Sequence, residues 1–192
     1  MKSHQTAGAI WAEILVGLAI VFVGLCSLAI YVPTCDRTKL QSLSNLKQLQ
    51  IAAQQMAEDY AANGQSAWPG DTGGTFAHWA SNLVQGGYLT TNDFCKLVSG
   101  PGRICPPHEM PGFTTSAVLV YAVRANSPTN TLFLSTANFT NTPSGGLKPL
   151  AQAKPYGKTI FTVMRKDGTG DMLQGRQAGN PRLIGEFAPL CR

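Results

Sequence analysis

The sequence predicts an α+β chain in which a long N-terminal helix, half apolar and half amphipathic, packs on a small antiparallel β-sheet domain. Three observations carry this. Ile14 to Val32 is a run of 19 residues without a charge. From Leu40 to Tyr60, apolar residues recur every three or four positions. Beyond residue 115, β-branched and aromatic runs alternate with turn sequences. The chain divides accordingly into a short polar leader (1–8), a membrane-spanning segment (9–33), an amphipathic stalk (34–62) and a globular domain (63–192).

As a helix, the apolar run would extend roughly 28 Å, enough to cross the hydrocarbon core of a bilayer. Glu13 stands at its mouth, the only charge between Lys2 and Asp36. A carboxylate costs about 3 kcal/mol at mid-membrane and less near the interface, so it calls for a partner. The run is too long for the core of a cleaved secretory signal, and Tyr31 to Cys35 lacks small residues at both cleavage-determining positions. Lys2 competes with Arg37 and Lys39, partly offset by Asp36, so flanking charge leaves orientation undecided.

Pro33 would kink or open the junction with the stalk. There Leu40, Leu43, Leu46, Leu49, Ala53, Met56 and Tyr60 form one stripe, with Lys39, Lys47, Gln48, Gln54, Gln55, Glu58 and Asp59 on other faces. Asn63-Gly64 stops the helix. The stripe has two available uses, the chain's own sheet and neighbouring subunits.

Residues 63–75 read as a loop. Phe76 to Gln85 reads as a short helix with Phe76, Trp79, Ala80 and Leu83 on one face, ended by Gly86-Gly87. Thr90 to Asp93 would cap a further turn of helix through Phe94 and Leu97. Four prolines in 99–112 forbid regular structure there. Strands are expected at 117–123, 131–135 and 159–164, with a short edge strand at 183–187.

The net charge of +5 is unevenly placed. Residues 63–192 hold eleven basic and six acidic side chains, and eight of the eleven lie between Lys148 and Arg192. Such an excess can attract nucleic acid, acidic polysaccharide or anionic lipid. Without a Lys/Arg block or interleaved aromatics it reads first as a scattered, solvated face, and nucleic acid is not a favoured partner, though the charge leaves it open. Cys95 and Cys105 flank the Gly/Pro-rich loop and are the best disulfide candidates. Cys35 and Cys191 could pair only if the tail folds back onto the helix, and Cys26 reads as a small hydrophobe. A zinc site from Cys95, Cys105 and His108 has no standard spacing.

No catalytic constellation emerges, and no nucleophile elbow, phosphate loop or zinc-protease signature is present. The chain reads as a non-enzyme without a cofactor. Asp167 and Asp171, in the stretch Asp167-Gly168-Thr169-Gly170-Asp171, are weak calcium candidates, since calcium takes oxygen ligands. A hairpin turn with solvated aspartates is the favoured reading of that stretch.

Gly8 closes the leader, Ala9 follows, and Glu13 would be the fifth residue of a chain cut between them. This arrangement, followed by an apolar helix, resembles the type IV pilin and type II secretion pseudopilin superfamily. The stretches Ser44-Asn45-Leu46-Lys47-Gln48-Leu49 and Trp68-Pro69-Gly70-Asp71 are similar to phrases of many pseudopilin-like proteins. The resemblance implies cleavage after Gly8 by a prepilin peptidase, methylation at Ala9, and pairing of Glu13 with the freed Ala9 amine of an adjacent subunit. It also strengthens the case for a calcium loop at Asp167 and Asp171. The implied place is the inner membrane, single-pass, leader inside and globular domain extracytoplasmic, feeding a periplasmic pseudopilus or a cell-surface filament. Implied partners are other pilin or pseudopilin subunits, the prepilin peptidase, an assembly ATPase and its membrane platform protein. Two other readings stay open: a type IV pilus pilin for adhesion, motility or DNA uptake, and a signal-anchored extracytoplasmic enzyme or binding protein.

Overall fold

The computed structural model describes residues 34–100, 105, 110–112, 115–142, 146–150 and 156–192, and residues 38–192 form one compact unit. Helix α1 (Thr34–Ala62) is followed by α2 (Phe76–Gln85) and α3 (Thr91–Val98). The strands are β1 (Val118–Val120), β2 (Leu132–Thr136), β3 (Phe139–Asn141), β4 (Leu147–Pro149), β5 (Ile160–Arg165) and β6 (Gly170–Gln174). A 3₁₀ turn (Gly175–Gln177) and a short helix α4 (Pro181–Ile184) close the chain. The fold is α+β. Its main sheet is antiparallel with order β1-β2-β5-β6, and β3-β4 form a separate hairpin.

This corrects the expected long N-terminal helix with a membrane half. Among the described residues, no helix is long and apolar enough to cross a membrane. Helix α1 is interrupted along its length by Asp36, Arg37, Lys39, Lys47, Glu58 and Asp59, and each charge would be costly in hydrocarbon. The expected single-pass inner-membrane localisation is corrected on the same ground. The segment 9–33, on which that expectation was built, lies outside the described residues, as do Gly8, Ala9 and Glu13.

The sheet buries one side of α1. Leu46, Leu49, Ala53 and Met56 are at most 1% exposed, and Leu43 and Tyr60 pack at the margin of the same core. Leu40 departs from the expected stripe and is 60% exposed. Helical geometry adds Ala52 and Ala57 to the buried side, small residues that allow close approach. Polar contacts fix the register. Ser42 Oγ lies 3.0 Å from Thr162 Oγ1 on β5. Lys47 Nζ donates to Gly168 O at 2.8 Å, and Gln50 Nε2 to Lys166 O at 3.2 Å, both in the β5–β6 turn. The approach is close at Gly170, where a Cβ would lie 2.6 Å from the Met164 methyl and 2.9 Å from a Leu43 methyl.

Local signals set the helix ends. Asn63-Gly64 ends α1 with Gly64 at φ +69°, a conformation that costs glycine little. Thr75 Oγ1 accepts from His78 N to start α2, and Thr90 Oγ1 accepts from Asp93 N to start α3. Phe76, Trp79 and Phe94 then join an aromatic cluster with Phe133 of β2, in which Trp79 meets Phe94 and Phe133 at 5.8 and 6.0 Å between ring centres.

Strand expectations fare unevenly. The 183–187 strand is not formed. Asn180 caps Pro181–Ile184 as a helical turn, and Glu186 forms an isolated parallel bridge to Thr131. The C-terminal segment instead seals the β1 edge: Ala122 N donates to Pro189 O, Cys191 N donates to Val120 O, and Tyr121 bridges Leu190. Strand β6 and the β3–β4 hairpin have no counterpart in the sequence reading. Leu173 is the single buried residue of β6, and β3–β4 offers only Phe139 and Leu147, so neither shows an apolar period.

Because Leu49 is buried and Ile51 is 44% exposed on the same helix, the two should respond differently to truncation. Leu49→Ala is expected to cost about 2–5 kcal/mol and Ile51→Ala less than about 1 kcal/mol in urea denaturation of the full chain. Equal losses would contradict this placement of α1.

Candidate functional site

Three surfaces gather the residues singled out in the sequence. The first is the outward side of α1. Leu40, Ser44, Lys47, Ile51, Gln55 and Glu58 recur at helical spacing and are all exposed. It is mostly polar, with two large apolar side chains set 11 residues apart, within about 20° of each other around the helix. Lys47 is steadied at its tip by the Gly168 carbonyl. A face of this kind suits packing against another helix with a polar rim.

The second surface is the end of the domain where the β5–β6 turn meets the loop after α1. Asp71 accepts from Ser66 Oγ at 2.5 Å and from Ala125 N at 2.8 Å. Lys166 Nζ donates to Ala125 O at 2.6 Å and Ser127 O at 2.8 Å, and lies 5.3 Å from the centre of the Trp68 ring. Partial burial pulls the Lys166 ammonium below its ordinary pKa, and the nearby Asp71 opposes that. These groups clamp the 124–127 turn onto the hairpin. Asp71 and Lys166 thus both bond the backbone of that turn, one as acceptor and one as donor.

The calcium candidates lie on this hairpin but are engaged separately. Asp167 Oδ1 accepts from Thr169 N at 2.8 Å and from Thr169 Oγ1 at 2.6 Å, closing its own turn. Asp171 Oδ2 pairs with Arg165 Nη2 at 2.7 Å, and the same guanidinium nitrogen donates to the Leu183 carbonyl. Among the described residues, no three His, Cys, Asp or Glu side chains group in a way that could hold a metal ion. Burial pushes the Asp167 carboxyl up, but the two Thr169 bonds with Arg165 and Lys47 outweigh it and hold its pKa below the ordinary aspartate value.

The third is the cysteine-closed loop. Cys95 on α3 is disulfide-bonded to Cys105, with Cα atoms 5.8 Å apart. Ser99 Oγ lies 3.6 Å from each sulfur. A disulfide uses both thiols, which removes the zinc alternative; its third candidate ligand, His108, lies outside the described residues. Cys191 is a free thiol. The tail is hydrogen-bonded along β1, which carries the Cys191 side chain to 0% exposure in the core, while the side chain of Cys35, its suggested partner, is not among those described. Burial pushes the thiol up to about 12. A protonated, enclosed thiol is chemically inert. Backbone pairing thus places the tail, and the tail's composition carries no signal for it.

No family model, no curated protein and no solved structure matches this chain.

Replacing Cys95 and Cys105 together by Ser should lower stability by about 3 kcal/mol, from the loop-closure entropy regained by the unfolded chain. Calorimetry or urea denaturation reads this, and a loss below about 0.5 kcal/mol would show that the bridge does not restrain the unfolded state. The depressed Asp167 carboxyl gives a pH signature. Its contribution is present above the ordinary aspartate pKa of about 3.9 and disappears as pH falls through the lower folded value. The stability difference between the natural chain and Asp167→Asn should therefore be largest near neutrality and shrink below about pH 4. A difference independent of pH would refute this.

Proposed function

We propose that the chain is a pilin-like structural subunit, cut after Gly8 by a prepilin peptidase and assembled into a type II secretion pseudopilus. The observation that carries this reading is the spacing of Gly8 and Glu13 directly before 19 uncharged residues. A glutamate at that place needs a partner, and the amine freed at Ala9 of a neighbouring subunit supplies one of opposite charge. In a water-poor filament interior, either charge arriving alone is penalised, so the pair favours correct register more than raw stability.

The arrangement of α1 supports the reading. One side of the helix is used up on its own sheet, while the other leaves Leu40 and Ile51 exposed. One helix can therefore belong to its domain and still offer a side to a neighbouring subunit. The work done is mechanical, and the partners are further pilin-like subunits with the peptidase and the assembly ATPase with its platform protein.

Co-expression with a prepilin peptidase should yield a chain whose N-terminal sequence begins at Ala9. Glu13→Ala should be cut equally well and yet be lost from sheared filaments by about tenfold or more, as expected when a buried charge loses its partner at about 3–5 kcal/mol. A chain that keeps Met1 in the presence of active peptidase would refute processing. Normal incorporation of Glu13→Ala would refute the pairing.

A further inference from the structure

Helix α1 ends on the pair Asn63-Gly64, the single Asn-Gly step in the chain. Every other asparagine precedes a residue that carries a side chain. The difference is chemical. The backbone nitrogen of the following residue can attack an asparagine side chain at Cγ and close a cyclic imide. A side chain on the attacking residue obstructs that approach, and glycine has none.

The fold holds this pair in a helix cap that protects it only while closed. Gln65 N donates to Tyr60 O and Gly64 N donates to Ala61 O, each at 3.0 Å, with Gly64 at φ +69°. These are the two bonds of a Schellman motif. Asn63 Nδ2 also donates to Asp59 O at 3.1 Å. The closed cap thus engages both the nucleophile, Gly64 N, and the leaving group, Asn63 Nδ2. Little holds it shut. Residues 61–65 are all exposed, and a Cβ on Gly64 would lie more than 4 Å from any described residue beyond its chain neighbours. Opening an exposed helix end costs far less than unfolding a core.

The comparable pair Asp167-Gly168 is locked by its surroundings. Asp167 Oδ1 accepts two bonds from Thr169, and Gly168 N donates to Arg165 O at 3.0 Å. A Cβ on Gly168 would lie 2.6 Å from Lys47 Nζ and 2.8 Å from Gln50 Oε1, so α1 closes over that turn. Of the two pairs, Asn63-Gly64 is the one that can open without breaking bonds between α1 and the sheet.

We infer that Asn63 is a site of spontaneous deamidation in the folded chain, reached by opening of the α1 cap. Gly64 N attacks Asn63 Cγ and gives up its proton, the Cγ–Nδ2 bond breaks, and ammonia leaves with that proton. Water then opens the imide at either carbonyl. One product is aspartate with the original backbone; the other is isoaspartate, whose backbone runs through the former side chain. Either product places a carboxylate at the negative end of α1, one turn beyond Asp59, and removes the donor to Asp59 O. The Asp59 carboxylate accepts from the Tyr88 hydroxyl at 2.9 Å, so the change falls where α1 is tied to the segment after α2. The site is independent of the proposed filament assembly.

The test is incubation of the full chain in mildly alkaline buffer, then peptide mapping that separates asparagine, aspartate and isoaspartate at position 63. A parallel sample is held unfolded in urea. Conversion in the folded chain should be slower than in the unfolded chain by less than about 100-fold, equivalent to a local opening of about 2.8 kcal/mol at most. Access only through global unfolding would slow it by about 1,000-fold or more. Asn63→Gln, whose longer side chain closes the ring far less readily, should leave that peptide unchanged over the same time. Asn63→Asp supplies one product directly and should melt about 1–4 °C lower than the natural chain. The inference is overturned by slowing beyond about 100-fold or by conversion of another asparagine before Asn63. An equal melting temperature for Asn63→Asp would overturn the effect on the cap. None of these readouts depends on cleavage at Gly8.

Discussion

The rest of residues 38–192 depends on the burial of one side of α1. Leu46, Leu49 and Met56 have no exposed surface, and the neighbouring Ser42, Lys47 and Gln50 bond to β5 and its turn, 116 to 121 residues away in the chain. Burying side chains of this size contributes about 1.5–3 kcal/mol each. That gain must offset the entropy of fixing several long connections. The hydrogen bonds from Ser42, Lys47 and Gln50 to β5 and its turn add less energy than register. They allow one alignment of helix on sheet, because a shift by one residue would leave buried polar groups without partners.

The β5–β6 hairpin carries that constraint to the remainder of the domain. Its turn receives α1 through Lys47 and Gln50, and it sends Lys166 across to the 124–127 turn. Arg165 ties β6 to the region after the 3₁₀ turn through Asp171 and the Leu183 carbonyl. The aspartates that look like metal ligands in a linear reading are thus the counter-charges and turn closures of a structural joint. The C-terminal segment completes the design by covering the β1 edge, which removes one exposed row of backbone donors and acceptors.

On α1, the side turned away from the sheet is exposed and mostly polar, with Leu40 and Ile51 as its large apolar side chains. Use of that side by a neighbouring subunit belongs to the proposed reading, and it needs neither a cavity nor a catalytic group.

Local chemistry was legible wherever one residue acts on its near neighbours. Thr75 and Thr90 cap helices that begin one residue later, Gly64 ends α1, and the β-rich runs at 117–123, 131–135 and 159–164 mark β1, β2 and β5, the last two of which run one residue further. The spacing of Cys95 and Cys105 across a Gly/Pro-rich loop was likewise sufficient for their pairing. All of these follow from the linear chain, because caps, turns and short loops are set by interactions within a few residues. The tertiary structure decided the rest. Cys191 is an enclosed thiol because the tail pairs with β1, a segment far from it in the chain. The β3–β4 and β5–β6 hairpins close over short separations, Asn141 with Leu147 and Met164 with Gly170, but β3, β4 and β6 carry too few buried apolar residues to show a strand period. Which of these segments pair is settled by backbone groups, and backbone groups are the same in every sequence.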